Sequence, residues 1–306
     1  MVSNEHAGAQ PTGTRASGGD NEAAAHIKIH VLHCGRVCVS KFLPFGGEGC
    51  SLIKASGVFG KEGDRVWLPV SAYLIEHPHG LLLVDTGWER AMSPRGAFDA
   101  HAQVASLGSR LLYKTNQGMV EPGKTVGEQL ARMGITARDL DYVLLTHLDC
   151  DHANGLSEVR DARRILVSAD ELTFASRFPN NAVRYQKRWW SGVNLQTFAW
   201  SGTEGPAGKS HDLFEVGSLA LVNIPGHAEG LFAVKVTGAD GRFALLFSDG
   251  GYATRSWQEM VLPGIASDRA QQRRSLAWIR QESLRPECVE SIANHDPDVQ
   301  PHVIEL

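Results

Sequence analysis

The stretch LTHLDCDHANG, Leu145 to Gly155, sets His147, Asp149, Asp151 and His152 within one short run. Imidazole and carboxylate at this density suit a divalent metal held by mixed nitrogen and oxygen ligands. An EF-hand is excluded, because the run lacks that loop's glycine and its distal glutamate. The preceding DYVLL, Asp141 to Leu145, reads as a short, fully buried strand, so His147 stands at a strand end. In extended chain, residues 147, 149 and 151 project to one side, and His152 turns in as a helix begins. The run is thus able to divide its ligands between two adjacent ions.

Three downstream stretches repeat the theme of a ligand at the end of a strand. IPGHAEG places His227 in a glycine-bounded turn, LLFSDGGY places Asp249 after an apolar strand, and IANHDP places His295 after another. Acids are rare in such buried positions unless paired or ligating.

The rest of the chain reads as many strands with helices between them. HIKIHVLHCGRVCVS is a strand or two beginning near His26, and LPFGGEG is loop. VWLPVSAYLIEHPHGLLLVDTG is a strand, a turn at Pro78-His79-Gly80, and a second strand ending at Asp85. Thr125 and Glu128 form a capping box for a helix through Met133. RRILVSA, SLALVNIPG, LFAVKVTG, FALLFSDGG and ECVESIA are further strands, and SDRAQQRRSLAWIRQ is a helix capped by Ser267. With no strict βαβ repeat, the order fits sheets packed face to face with helices outside. Residues 171–200, aromatic, basic and weakly periodic, read as a lid-like insertion over a site.

Of 306 residues, 42% are hydrophobic and 21% charged, as in a soluble domain with a sizeable core. The net charge of -4 gives no sign of nucleic-acid binding. No apolar run reaches membrane-spanning length. Residues 1–25 read as a disordered tail without the apolar region of a secretory signal, so the expected location is cytoplasmic and the folded domain spans 26–306. Five irregularly spaced cysteines suggest free thiols rather than a disulfide framework, and Cys150 is not taken as a ligand. GMVEPGKT, Gly118 to Thr125, matches a P-loop literally, but a polar stretch precedes it and Pro122 removes an amide. It reads as a surface loop.

Taken together, these motifs resemble the metallo-β-lactamase-fold hydrolases, and among them the N-acyl-homoserine lactonase group. The similarity runs from LPVSAYLIEHPHGLLLVDTG to NHDP. It implies an α+β fold, a four-layer αββα sandwich, with two divalent metals, zinc in the first place and Mn or Fe as alternatives. On this resemblance, His147, Asp149 and His227 would hold one metal, Asp151, His152 and His295 the other, and Asp249 would bridge them. Tyr252 would polarise the substrate and protonate the leaving alkoxide, Asp151 would help orient a metal-bridging hydroxide, and the reaction would open a lactone or cleave an ester, as in quorum quenching. The group's usual run is His-x-His-x-Asp-His, and Asp149 replaces its second histidine. A carboxylate there can still ligate, tilts the preference toward Mn or Fe, and weakens the Lewis acid; the alternative is a weak first site, with one metal on Asp151, His152 and His295.

Trp189, Trp190 and Phe198 are candidates for an apolar wall around an acyl chain, and Asp85 for a supporting role at its turn. Two alternatives stay open. Arg184, Lys187 and Arg188 could form a basic entrance for a phosphodiester, with thioester hydrolysis on the same scaffold. A non-catalytic metal-binding sensor is the other. The partner expected is a small-molecule substrate, with no nucleic acid and no membrane, in a monomer or homodimer.

Overall fold

The computed structural model describes residues 26–306; the expected tail at 1–25 lies outside the described residues. Alternating and β-branched stretches form strands β1 (Lys28–Ser40), β2 (Arg65–His77), β3 (Gly80–Val84), β4 (Gln117–Met119), β5 (Tyr142–Leu144), β6 (Arg164–Ser168) and β7 (Leu195–Phe198). The second half supplies β8 (Ser210–Asp212), β9 (Leu219–Asn223), β10 (Phe232–Thr237), β11 (Phe243–Ser248), β12 (Cys288–Ala293) and β13 (Val303–Glu305).

The strands make two sheets. One runs β13-β1-β2-β3-β5-β6-β7, with β4 added along β1; the other runs β12-β11-β10-β9-β8. β3, β5, β6 and β7 are parallel, whereas the β1-β2-β3 meander is antiparallel. The register of β1 on β2 shifts between His33 and Arg36. Gly35 sits in this bulge at φ +104°, where a Cβ would meet the Met119 carbonyl at 2.7 Å.

Ile29, Tyr73, Ile75, Leu82 and Leu144 of the first sheet face Leu221, Phe232, Val234 and Leu246 of the second in a dry inner layer. Trp88, Leu107, Leu130, Leu156 and Trp189 cover the outer face of the first sheet. Leu276 and Ile279 of helix Arg269–Ser283 cover the second, against Leu245 and Phe247. Each such buried aliphatic contributes about 1.5–3 kcal/mol. The result is the expected four-layer αββα sandwich.

Three local expectations change. Phe42–Phe45, inside the expected loop, forms one helical turn. The long helix is capped by Asp268, whose carboxylate accepts the Gln271 N–H at 2.9 Å; Ser267 instead donates to the His227 carbonyl. Residues 171–200 are not simply an insertion. They begin inside helix Ala169–Ser176 and end in β7, which pairs in parallel with β6. The literal P-loop match leads from a three-residue strand, Gln117–Met119, paired antiparallel with β1 off the main strand order, rather than from a buried central strand.

Candidate metal centre

The chain directions bring the ligand-bearing ends together. β3 and β5 are parallel and end next to Asp85 and His147. β9 and β11 are both antiparallel to β10, and β12 is parallel to β11, so Ile224 onward, Asp249 and Asn294-His295 leave the second sheet at one rim. Gly226 allows the turn to His227 to press on helix Arg269–Ser283, for a Cβ there would lie 2.3 Å from the Gln272 nitrogen.

At this rim His147, Asp149, Asp151, His152, His227, Asp249 and His295 converge. Three overlapping sets stand close enough to share an ion: His147, Asp149 and His227; His147, His152 and Asp249; Asp151, His152 and His295. Oδ1 of Asp249 lies 3.4 Å from His152 Nε2 and 3.3 Å from His295 Nε2, and Asp151 Oδ2 lies 3.5 Å from His295 Nε2. A tetrahedral shell with metal–nitrogen bonds of about 2.0–2.1 Å has edges of roughly 3.3–3.5 Å, so these donors fit a zinc-sized cation. His147 Nε2, His152 Nε2 and Asp249 Oδ1 are buried without a hydrogen-bond partner among the described residues. Buried polar atoms left unpaired carry a desolvation cost that a shared cation would offset.

The other ring nitrogens are tied down. His152 Nδ1–H donates to Asp85 Oδ2 at 2.8 Å, and His295 Nδ1–H to the Pro69 carbonyl at 2.8 Å. In the neutral rings such bonds keep the proton on Nδ1 and turn the Nε2 lone pair toward the centre. Asp85, fully buried, also accepts from the Thr146 amide at 2.8 Å and from Asn294 Nδ2 at 2.9 Å. Thr146 Oγ1 in turn lies 3.1 Å from His147 Nδ1. Asp85 thus supports the ligands from behind.

Charge is shared steeply across the cluster. Burial, with the neighbouring His152, lowers His147 to about 4, which keeps it neutral. Burial would also lower His152 and His295, but Asp85 and Asp249 outweigh it at His152, and Asp249 and Asp151 at His295, and both rise. Burial raises the Tyr252 hydroxyl pKa, and Asp249 and Asp151 raise it further, so the phenol keeps its proton. Its ring stacks on His295, centroids 5.4 Å apart.

Asp149 differs from the rest of the cluster. Its carboxylate is gripped by Arg184, Nε to Oδ1 at 2.6 Å and Nη2 to Oδ2 at 2.6 Å. Burial opposes its charge, but Arg184 overrides this and holds its pKa well below the carboxylate range.

A cavity of about 180 Å³ opens onto Asp149, Asp151, Asp249, His227, Arg184 and Tyr252. Val37, Val39, Leu43, Leu112 and Ile265 make its apolar wall. A larger groove of about 370 Å³ beside Trp67 and Lys124 holds none of the cluster, so the chemistry points to the smaller one. Trp189, Trp190 and Phe198 do not line it. Trp189 and Trp190 pack in the core over the first sheet, where Trp189 Nε1 donates to the Ser106 carbonyl at 3.3 Å. Phe198 fills the layer between the sheets against Phe232. Lys187 and Arg188 are exposed and also lie off the cavity. Sequence reading missed the wall residues, which come from scattered elements, and the support from Thr146 and Asn294, although both flank predicted ligands.

Residues 65–245 match the Metallo-beta-lactamase superfamily profile. The chain is 26% identical over 240 residues to the N-acyl homoserine lactonase AttM of Rhizobium radiobacter, covering 76% of this chain and 83% of that protein. It is 29% identical over 238 residues to a probable metallo-hydrolase of Mycobacterium tuberculosis, covering 74% of this chain and 63% of that one. Its fold is shared with B. thuringiensis AiiA bearing N-decanoyl-L-homoserine at its active site, with TM-score 0.67, 20% identity, and 88% and 93% of the two chains covered. AidC, a dizinc quorum-quenching lactonase, shares it at TM-score 0.56 and 13% identity, covering 90% and 89%. Among the described residues no helix is long and apolar enough to cross a membrane. With the superfamily profile spanning more than half of the chain, the protein belongs to the metallo-beta-lactamase superfamily and is a metal-dependent hydrolase.

Proposed function

We propose that the protein hydrolyses a lactone or carboxylic ester with an apolar acyl portion, of the N-acyl-homoserine lactone kind. The observation that carries this reading is one cavity with two unlike sides: the acid–imidazole cluster and Tyr252 as its floor, aliphatic side chains as its wall. The named lactonase relatives support it.

Asp151, His152, His295 and Asp249 would hold a divalent ion, zinc in the first place. Such an ion, when bound, supplies Lewis acidity toward a carbonyl and lowers the pKa of a water it holds. The chain's own residues do the rest. Asp85 and the Pro69 carbonyl keep protons on the outer ring nitrogens. Tyr252, protonated and at the cavity floor, donates a hydrogen bond to the oxygen that gains charge, then a proton to the departing alkoxide. Asp151 orients the attacking water. The wall excludes bulk water and seats the acyl chain.

A phosphodiester reading loses its main support, because Arg184 is neutralised by Asp149 and Lys187 and Arg188 stand elsewhere. The experiment is a panel of acyl lactones of increasing chain length beside a chromogenic phosphodiester and a thioester. Lactone turnover that varies with acyl length, and is lost in His152→Ala and Asp249→Ala, is expected. Turnover that persists in both variants, or phosphodiester cleavage alone, would overturn the reading.

A further inference from the structure

Arg184 stands where the first of two metals would have to bind. Its Nε and Nη2 grip Asp149. Nη2 also lies 2.8 Å from His227 Nε2, and Nη1 donates to the His227 carbonyl at 2.9 Å and to Ser267 Oγ at 3.3 Å. A guanidinium has five N–H donors and does not lose its charge in proteins. All three of its nitrogens are engaged here, by Asp149 and the His227 carbonyl.

This arrangement conflicts with metal at the same place. His227 Nε2 lies 2.8 Å from Arg184 Nη2 and 2.9 Å from Asp149 Oδ2; it either accepts from the guanidinium or donates to the carboxylate, and in both cases its lone pair is not free for an ion. Both oxygens of Asp149 are already engaged, and a divalent ion beside a guanidinium is repelled by it. His227 Nε2 and Asp149 Oδ2 lie 2.9 Å apart, closer than the roughly 3.3–3.5 Å edges of a zinc shell. Around Asp249 Oδ1, by contrast, the separations match such a shell and Arg184 makes no contact. Asp149 and Arg184 therefore act as two halves of one exchange. An anionic residue in the motif and a cation from residue 184 together replace a neutral histidine and an ion.

We propose that Arg184 is a resident cation that closes the His147–Asp149–His227 position, so that the protein carries a single divalent ion on Asp151, His152, His295 and Asp249. This rests on the reading of the cluster as a metal centre. A second ion enters only if the guanidinium withdraws.

The test counts metal. Chelator-stripped protein is reloaded with excess zinc, desalted and assayed by mass spectrometry; the same is done with manganese, read by electron paramagnetic resonance. Wild type is expected to hold about one ion per chain with an uncoupled manganese spectrum, and Arg184→Ala about two with a spin-coupled pair. Should Arg184→Ala strand the Asp149 charge and fail to fold, Asp149→His/Arg184→Ala removes that charge and is expected to bind both ions. Two ions in wild type, none in wild type, or one in every folded variant would overturn the proposal. The count needs no substrate, so absent lactone turnover leaves it standing, and a wrong count leaves ester hydrolysis standing.

Discussion

At Asp85 the backbone turns through φ 58°, a left-handed conformation that is uncommon outside glycine. Hydrogen bonds from His152, Thr146 and Asn294 hold it there. The residue-scale logic of the centre is of this kind: His152, His295 and His147 are oriented by Asp85, the Pro69 carbonyl and Thr146 behind them. Tyr252 is the exception, since it faces the cavity directly. Tyr252→Phe removes a hydrogen-bond donor without changing the ring that stacks on His295. It is expected to lower kcat by about 10²-fold, with KM changed far less, since the bond matters most as charge develops. Steady-state kinetics with one lactone checks this; an unchanged kcat would remove Tyr252 from the chemistry. The members of the cluster were readable in the sequence because four of them crowd into one run and the rest follow apolar strands. Arg184 was visible only as part of a basic stretch. Its pairing with Asp149, 35 positions away, is set by tertiary packing, which periodicity does not encode.

Among the elements, the turn after β5 and the turn after β9 are joined by helix Ala169–Ser176. Its Glu171, fully buried, accepts the Leu148 N–H at 3.0 Å and the Gly230 N–H at 3.2 Å. Burial pushes its carboxyl from the ordinary 4.5 up to about 7. The folded state therefore binds this proton more tightly than the unfolded state. Glu171 contributes most to stability below pH 4.5, and that contribution is lost as pH rises to about 7. The change across the window is on the order of 3 kcal/mol. Glu171→Gln should flatten it: wild type and variant differ between pH 5 and pH 7.5 in urea denaturation, and a constant difference would contradict the assignment. Most strands were legible because their apolar patterns are long or β-branched. Of those missed, β4, β8 and β13 are three residues long, and β7 has two of its four residues exposed and lies at a sheet edge. The capping error at Ser267 has a similar origin. Ser267 and Asp268 are equally good caps locally, and the His227 carbonyl decides between them.

For the whole molecule, two sheets meet so that strands of each deliver ligands to one rim, and the inner apolar layer fixes their separation. The layered architecture followed from strand order and the motifs, whereas the cavity wall did not, because Val37, Leu43 and Leu112 come from three separate elements and Ile265 from a loop. The central claim is that this rim is a metal-loaded site that opens an acyl lactone. Its most direct test is to titrate chelator-stripped protein with zinc while following hydrolysis of a long-chain acyl lactone. The account predicts no turnover in stripped protein and turnover that rises with bound metal to a plateau. Undiminished turnover in the stripped protein, or none at full metal occupancy, would contradict it.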